Sequence, residues 1–457
     1  MTLEQSQGLA SGSDAGVGLA KPASYGFCLR KEIGVLFLPQ KQNCEFVSVS
    51  EIKMVFILLE IDLYLLYLQK ICKTMIDIDM FESNMRRRMA HMPSRLRLFT
   101  SGYGDLPHCV MVTGARGCGK STFLLYHAKD KHMLYLSMDN PLLASTPLYE
   151  VVRDVFMSGF EGVILDEVHY AADWSRHLKA AYDDFPDRKI WVSDSSALVL
   201  REGTGDLSRR FVQIKMPMMS FREYLYIETG AIYDKYQLGG LLPVEPDDKI
   251  LALFKNYRRH GSRPFYQEQD YDKRFMGVLE KVLYTDIPFF LKSVTDNNLR
   301  VMSAIVGTLA KSSIPRFQVK SLCSDWGIGA EKLYQLLFVM EQVELIRVVR
   351  LQNDTKARSV GAKMLFADPC SYWVLDADKG TEREAFVAFC FSQIGCSVAA
   401  MKDERKGDFE ISCGGRSFSV EVGGENKKSK GADYVLRDNT DYPSSRAIPF
   451  WLLAMMW

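Results

Sequence analysis

A glycine-rich loop, Gly114-Ala115-Arg116-Gly117-Cys118-Gly119-Lys120-Ser121-Thr122, leaves this 457-residue chain few folds to choose from. It matches G-x-x-x-x-G-K-[ST], whose glycines let the backbone wrap a polyphosphate with its N–H groups pointing inward. The apolar run Cys109–Val112 ahead of it reads as a buried strand, and the pattern after Lys120 is helical. The loop therefore joins strand to helix and sets the positive end of a helix dipole beside phosphate. In that setting Lys120 reaches the β- and γ-phosphates and the Ser121 hydroxyl ligates a metal ion. Gly114, Arg116, Gly117, Cys118, Gly119 and Thr122 complete the binding loop, and the expected cofactors are ATP and Mg²⁺.

Beyond the loop, short apolar runs alternate with helical patterns. Met133–Leu136, Gly162–Leu165, Lys189–Val192 and Phe211–Ile214 read as strands, with helices over 120–129, 149–157 and 174–182 between them. The alternation predicts a five-stranded parallel sheet covered on both faces. The third strand runs into Asp166-Glu167. Asp166, at a strand's C-terminal end, faces the Mg²⁺ beside the loop, and Glu167 accepts a proton from the attacking water. A polar residue ending the fourth strand lies between these elements and can orient that water; Ser195 is the first candidate and Ser193 the alternative. Arg209 and Arg210, before the fifth strand, carry the kind of charge that stabilises transferring phosphate.

Bulk properties narrow the partners. Hydrophobic residues make up 47% and charged residues 25%, an ordinary globular balance that excludes a wholly disordered chain. Lysine plus arginine (57) nearly cancels aspartate plus glutamate (56), so nucleic-acid binding has to come from a local patch. The ten cysteines form no C-x-x-C pair and no zinc spacing, which predicts reduced thiols and a cytoplasmic protein. Residues 1–26 are rich in Gly, Ser and Ala and lack a signal-like apolar region. The apolar stretch Met54–Leu68 is interrupted by Glu60 and Asp62. An acid at a helix centre costs about 2.5–3.5 kcal/mol to insert, so a buried or partner-seeking helix is expected and no membrane span.

Residues after Pro217 look helical and aromatic-rich to about 298. Two further helical faces, Met302–Leu309 and Leu333–Met340, precede the strands Leu345–Leu351 and Lys363–Phe366, a winged-helix pattern. The wing carries Arg347, Arg350, Lys356 and Arg358 against Asp354. Phosphate contact with DNA through the wing and packing within the protein are equal readings of these charges. The expected division is a leader over 1–79 that is poorly ordered with one apolar helix, a core over 80–225, a helical connector over 226–298, a winged helix over 299–370, and a tail over 371–457. The leader is read as a partner-binding extension or an overlong start.

Five stretches carry a resemblance to a known family: Gly114–Thr122, Ile164–Val168, Val192–Ala197, Met216–Leu225 and Glu421–Lys427. Over about residues 80–457 the chain resembles prokaryotic AAA-type P-loop ATPases that carry a C-terminal domain of unknown function. The resemblance implies an α/β fold: an AAA-like P-loop NTPase with a parallel five-stranded sheet, then a winged helix and an α/β nuclease-like domain. It implies Ser195 as sensor and Arg210 as arginine finger, although Leu207-Ser208-Arg209-Arg210 stands where the family has Leu-x-Gly-Arg. Because such fingers serve a neighbouring subunit, a homo-oligomer is expected.

In the tail, Asp408 and Glu421 match the metal-holding acids of a PD-(D/E)xK arrangement, with Glu382 as a third. Gly423 stands where that site needs a lysine, and Lys427 or Lys428 substitutes only if the chain folds back. A binding tail without nuclease activity is therefore favoured over an active metal-dependent nuclease. The expected function is Mg²⁺-dependent ATP hydrolysis that moves the C-terminal domains. The alternative is a nucleotide-switched module that holds DNA or a protein partner with little turnover.

Overall fold

The computed structural model describes residues 58, 61, 76–194, 207–290, 295–311, 319–352, 363–429 and 431–457. Met1–Met75 and Ile76–Trp457 are two separate compact units. In the first, Leu58 and Ile61 are helical and exposed, and the rest of the stretch over 54–68 lies outside the described residues. Among the described residues no helix is long and apolar enough to cross a membrane.

The second unit opens with the helix Ile78–Ala90, whose N-cap Asp77 accepts from Met80 N at 3.0 Å. A boundary at residue 80 therefore falls inside its first turn. Phe81 and Met85 bury one face of this helix.

Five parallel strands form the first sheet: β1 Cys109–Thr113, β2 Met133–Ser137, β3 Gly162–Asp166, β4 Lys189–Asp194 and β5 Val212–Lys215, in the order β2-β3-β4-β1-β5. The first four are buried almost throughout, as strands covered on both faces must be, and so read as continuous apolar runs. Strand β5 is an edge, and among its residues only Ile214 is buried.

Because all five strands run the same way, their C-terminal ends share one edge. The glycine-rich loop, Asp166-Glu167 and Asp194 all emerge there, with β4 hydrogen-bonded between β1 and β3. Arg210 precedes β5 and so belongs to the opposite edge.

After the sheet, Ser220 and Glu223 form a reciprocal capping box at the start of the helix Phe221–Thr229. The helix Asp248–His260 follows. Then Tyr271–Lys281 continues through a π-helical turn, Val282–Asp286, into Ile287–Phe290. Pro288 has no N–H to donate, so a regular helical ladder cannot pass through this segment.

Three helices come next, Asp296–Lys311, Val319–Trp326 and Ala330–Gln342, followed by an antiparallel pair, β6 Ile346–Val349 and β7 Lys363–Phe366. Last, the buried helix Lys379–Gln393 packs on a mixed sheet ordered β12-β11-β10-β9-β8. Its strands are β8 Ser397–Ala400, β9 Phe409–Cys413, β10 Arg416–Gly423, β11 Tyr434–Arg437 and β12 Ala447–Pro449.

Uniformly reduced thiols are not what the fold holds. Cys396 and Cys413 form a disulfide. They flank the register pair Ser397↔Ser412 of β8 and β9, so strand pairing brings them together. No short sequence spacing announces a cross-strand pair.

Candidate nucleotide site

The loop after β1 is built by close backbone approach. A Cβ on Gly114, at φ 154°, would lie 2.5 Å from the Met216 carbonyl oxygen, and Met216 N is itself tied to Thr113 O at 2.7 Å. A Cβ on Gly117, at φ 80°, would lie 2.6 Å from the Phe265 ring. Only glycine fits at either position without shifting a neighbour. Lys120 opens the helix Lys120–His127 and is buried, with Nζ donating to Gly114 O at 2.9 Å and Ala115 O at 3.1 Å.

One residue later the Ser121 hydroxyl donates to Asp166 Oδ2 at 2.6 Å. Tyr135 OH donates to the same oxygen at 2.5 Å, while Ser193 Oγ and Glu167 N bond Asp166 Oδ1. Asp166 is thus aimed from β1, β2 and β4 sides at once. Burial, with the Asp166 charge second, pushes the Tyr135 phenol well above its ordinary value and keeps it a donor.

Glu167 takes a left-handed backbone, φ 52° and ψ 49°, which a non-glycine residue holds only when its surroundings impose it. Its carboxylate faces Arg116, with Arg116 Nη2 3.2 Å from Glu167 Oε2. Burial raises the Glu167 carboxyl above the usual range, against the pull of Arg116 and Lys120. Behind it, His169 Nδ1 lies 2.9 Å from the fully buried Asp194 carboxylate and 3.7 Å from Glu167. Burial opposes charge on this imidazole, but the Asp194 hydrogen bond and charge prevail and lift it above its ordinary value.

The loop is also braced from outside. Arg97 is buried and donates to the carbonyls of Cys118 (2.8 Å), Pro217 (2.8 Å) and Met218 (3.1 Å) while pairing with Glu223 at 2.6 Å. No motif in the sequence marks Arg97 for this brace. Tyr135, His169 and Asp286 belong to no motif that would announce them, and Asp194 lies within the Val192–Ala197 stretch without a role of its own read from it.

Of the other expected residues, Ser195 lies outside the described residues, as do Asp354, Lys356 and Arg358 of the wing. Arg210 pairs with Asp183 at 3.0 Å, with its guanidinium 5.6 Å from the Tyr182 ring. Arg347 donates to the helix Lys379–Gln393 at Ala388 O, and Arg350 pairs with Glu341 at 3.0 Å. These two wing arginines serve internal packing.

In the tail, Glu382 is not beside Asp408 and Glu421. It pairs with Arg258, which also binds Asp438 at 2.6 Å. The helix acid facing the strands is Glu384, two positions on and about 200° around the helix. Lys363 Nζ lies 2.6 Å from Glu384 and 3.7 Å from Asp408, and Lys427 Nζ lies 2.9 Å from Glu421. Among the described residues no group of three or more His, Cys, Asp or Glu side chains could hold a metal ion.

At the β1 loop the residues fit a magnesium nucleotide. A hydroxyl and a carboxylate 2.6 Å apart are oxygen donors of the kind Mg²⁺ takes, with phosphate and water filling its other positions. A parallel sheet in this strand order, a phosphate-type loop after β1 and an acidic pair at the end of β3 are consistent with a P-loop NTPase fold. Residues 107–225 match the family model described as an AAA domain.

An uncharacterized protein of Methanocaldococcus jannaschii is 30% identical over 273 residues, covering 53% of this chain and 56% of that one. The chain thus spans little more than half the length of this curated relative. Two solved structures align more loosely. A Walker-type ATPase of Pyrococcus abyssi has TM-score 0.35 and 15% identity, over 59% of this chain and 91% of that one. A RuvB of Thermotoga maritima has TM-score 0.30 and 14% identity, over 60% of this chain and 90% of that one. At such scores neither likeness carries an argument about this chain.

Proposed function

We propose that the chain binds ATP with Mg²⁺ at the 114–122 loop and hydrolyses it. The observation that carries this reading is the Ser121 hydroxyl 2.6 Å from Asp166, with Glu167 directly after it. Bound Mg²⁺–ATP supplies the electrophilic phosphorus and a metal charge that offsets charge developing on phosphate. Ser121 and Asp166 hold the metal, Lys120 turns its ammonium to phosphate, and Glu167 takes the proton of the attacking water. Tyr135 and Ser193 keep Asp166 oriented, while Ser195, outside the described residues, remains the sensor candidate from the sequence.

Arg210 stands a strand length away, about 13 Å for four residues. Within one chain it does not serve the loop, so its finger role belongs to contact with a second copy. The three helices with β6 and β7 fit a winged helix, and the tail a nuclease-like domain that binds without cutting, both moved by the nucleotide cycle. The two lysines that neutralise the tail acids support the non-cutting reading. With Arg347 and Arg350 engaged internally, a protein partner is favoured over DNA at the wing.

Phosphate release from wild type, Lys120→Ala and Glu167→Gln tests the proposal. Both variants should lose nearly all turnover, and equal rates in the three would refute hydrolysis at this site. Nucleotide binding that switches a partner without turnover would favour a binding module instead.

A further inference from the structure

The basic run Arg86-Arg87-Arg88 stands near the end of the helix Ile78–Ala90, and the proposed hydrolysis makes no use of it. Its three members meet different surroundings. Arg86 pairs with Glu82 at 2.6 Å. Arg87 Nη2 donates to Asn84 Oδ1 at 2.6 Å, and the Arg88 guanidinium lies 5.0 Å from the centre of the Tyr135 ring. Arg87 and Arg88, but not Arg86, line a cavity of about 460 Å³ between this helix and the end of β2. His91 lines it from the helix side, and Tyr135, Ser137 and Asn140 from β2 and the turn after it. None of residues 114–122 borders it.

Among the described residues that line this cavity none is a carboxylate. The acids closest along the chain are engaged by other groups: Glu82 by Arg86, and Asp139 by Ser137 Oγ at 2.6 Å and Lys281 Nζ at 4.0 Å. The amides add donors. Asn84 Oδ1 accepts from Arg87 and Asn140 Oδ1 from Leu142 N at 3.0 Å, which leaves the NH2 group of each to a ligand. Basic residues in a last turn also complement the helix dipole, but that does not account for the acid-free cavity they face. Guanidinium and amide donors without a counter-ion favour a ligand rich in acceptor oxygens, and phosphate matches the arginine fork. A carboxylate side chain would leave most of the space unfilled, since about 300–1,000 Å³ is the size of a pocket for a whole small molecule. A nucleotide unit fills it, with phosphate on the guanidinium groups and a base edge against the amides.

We propose that Arg87 and Arg88 bind the phosphate of a nucleotide unit, carried by a single-stranded nucleic acid or by a free nucleotide, in the cavity between the helix Ile78–Ala90 and β2. This second anion site is separate from the 114–122 loop and does not depend on hydrolysis there. In a chain whose charges nearly cancel, it is the local patch that nucleic-acid binding requires. The cavity shares Tyr135 with the candidate nucleotide site, because the Tyr135 hydroxyl bonds Asp166. An occupant therefore lies one side chain away from the proposed metal ligand.

The test is fluorescence anisotropy of a labelled oligothymidylate with the full chain, for wild type, Arg86→Ala, Arg87→Ala and Arg88→Ala over a series of salt concentrations. Arg87→Ala and Arg88→Ala should each weaken binding about tenfold, the scale of a charged hydrogen bond, and lower the slope of log affinity against log salt by about one. Arg86→Ala removes the same charge from the neighbouring position and should stay within about twofold of wild type. Arg87→Lys and Arg88→Lys guard against a folding loss: they keep the charge and should keep the salt slope. Calorimetric titration with thymidine monophosphate, in a Lys120→Ala background that weakens phosphate binding at the loop, separates the two sources. Oligonucleotide binding assigns the site to a strand, and binding of the monophosphate alone, with the same arginine dependence, to a free nucleotide.

Binding of neither ligand, or binding that Arg87→Ala and Arg88→Ala leave unchanged, would overturn the proposal. Equal losses in all three alanine variants would reduce it to unspecific charge, and lysine variants that lower the salt slope as alanine does would contradict it as well. Polyglutamate that displaces the oligonucleotide at equal charge concentration would give the cavity to an acidic protein and overturn the nucleotide assignment. None of these outcomes bears on ATP hydrolysis at the 114–122 loop, which phosphate release measures separately.

Discussion

The Lys427 side chain folds back over Gly423 and sets its Nζ 2.9 Å from Glu421 Oε1. A Cβ on Gly423 would lie 2.6 Å from Lys427 Cδ, so the glycine is what makes room for the returning chain. A lysine six residues after Glu421 thus reaches the acid that, in a PD-(D/E)xK arrangement, would be followed by a lysine two residues on. It arrives as an ion-pair partner, and Lys363 does the same for Glu384 and Asp408.

From that pairing, incubation of the protein with supercoiled DNA and Mg²⁺ or Mn²⁺ should produce no nicking. Cutting that disappears in Asp408→Ala would prove the tail an active nuclease. Lys427→Ala should destabilise the fold by about 3–5 kcal/mol, because it removes the ammonium facing a carboxylate with no exposed surface. Urea denaturation measures this, and Glu421→Gln in the same background should recover part of the loss.

Tyr135 offers a cleaner probe of Asp166, the proposed metal ligand. Its hydroxyl reaches Asp166 Oδ2 at 2.5 Å from the neighbouring strand. Tyr135→Phe deletes that donor alone, and loss of a group orienting a metal ligand typically weakens metal affinity about 10–100-fold. A Mg²⁺ titration of phosphate release at saturating ATP should show the weakening. An unchanged Mg²⁺ requirement would mean that Ser121 and Ser193 hold Asp166 without help.

Arg97 tests the brace under the loop. Arg97→Ala leaves the buried Glu223 carboxylate without its cation and the Cys118 and Pro217 carbonyls without the arginine donor, while Met218 O keeps Trp457 Nε1. A loss of about 3–5 kcal/mol is expected in urea denaturation. Arg97→Lys should rescue little, since one ammonium cannot reproduce a planar fork that spans carboxylate and carbonyls. Full rescue by lysine would show that charge alone matters here.

The pH dependence of stability follows from Glu167. Burial raises its carboxyl above the ordinary 4.5, so the folded chain keeps the proton to a higher pH than the unfolded chain does. Its contribution to stability is therefore fully present below 4.5 and is lost as pH rises through the raised value. Glu167→Gln has no such loss, so its stability relative to wild type should improve as pH climbs through this window. Denaturation midpoints across the series check the sign; a Glu167→Gln stability that falls relative to wild type as pH rises would contradict it. In wild type the acid limb of phosphate release should likewise lie above 4.5.

Much of the candidate nucleotide site is legible in sequence because its signals are local. Gly114, Lys120 and Ser121 lie within one loop, and an apolar strand delivers Asp166-Glu167 as a contiguous pair. The five strands are readable because burial on both faces leaves an unbroken apolar run. The tail resisted reading. Glu382 and Glu384 look equivalent in sequence, yet they lie on opposite faces of one helix, and packing sends Glu382 to Arg258 and Glu384 to Lys363.

By itself, then, the sequence determined the phosphate loop, the acidic pair and the alternation that builds the parallel sheet, since backbone conformation and side-chain period depend on neighbours along the chain. Tertiary structure alone decided that Asp286, 170 residues from Arg116, shares its guanidinium with Glu167. It also decided that Cys396 meets Cys413 and that Lys427 returns to Glu421. Each of these depends on strand register or helix phase, and those are set by which faces the whole chain manages to bury.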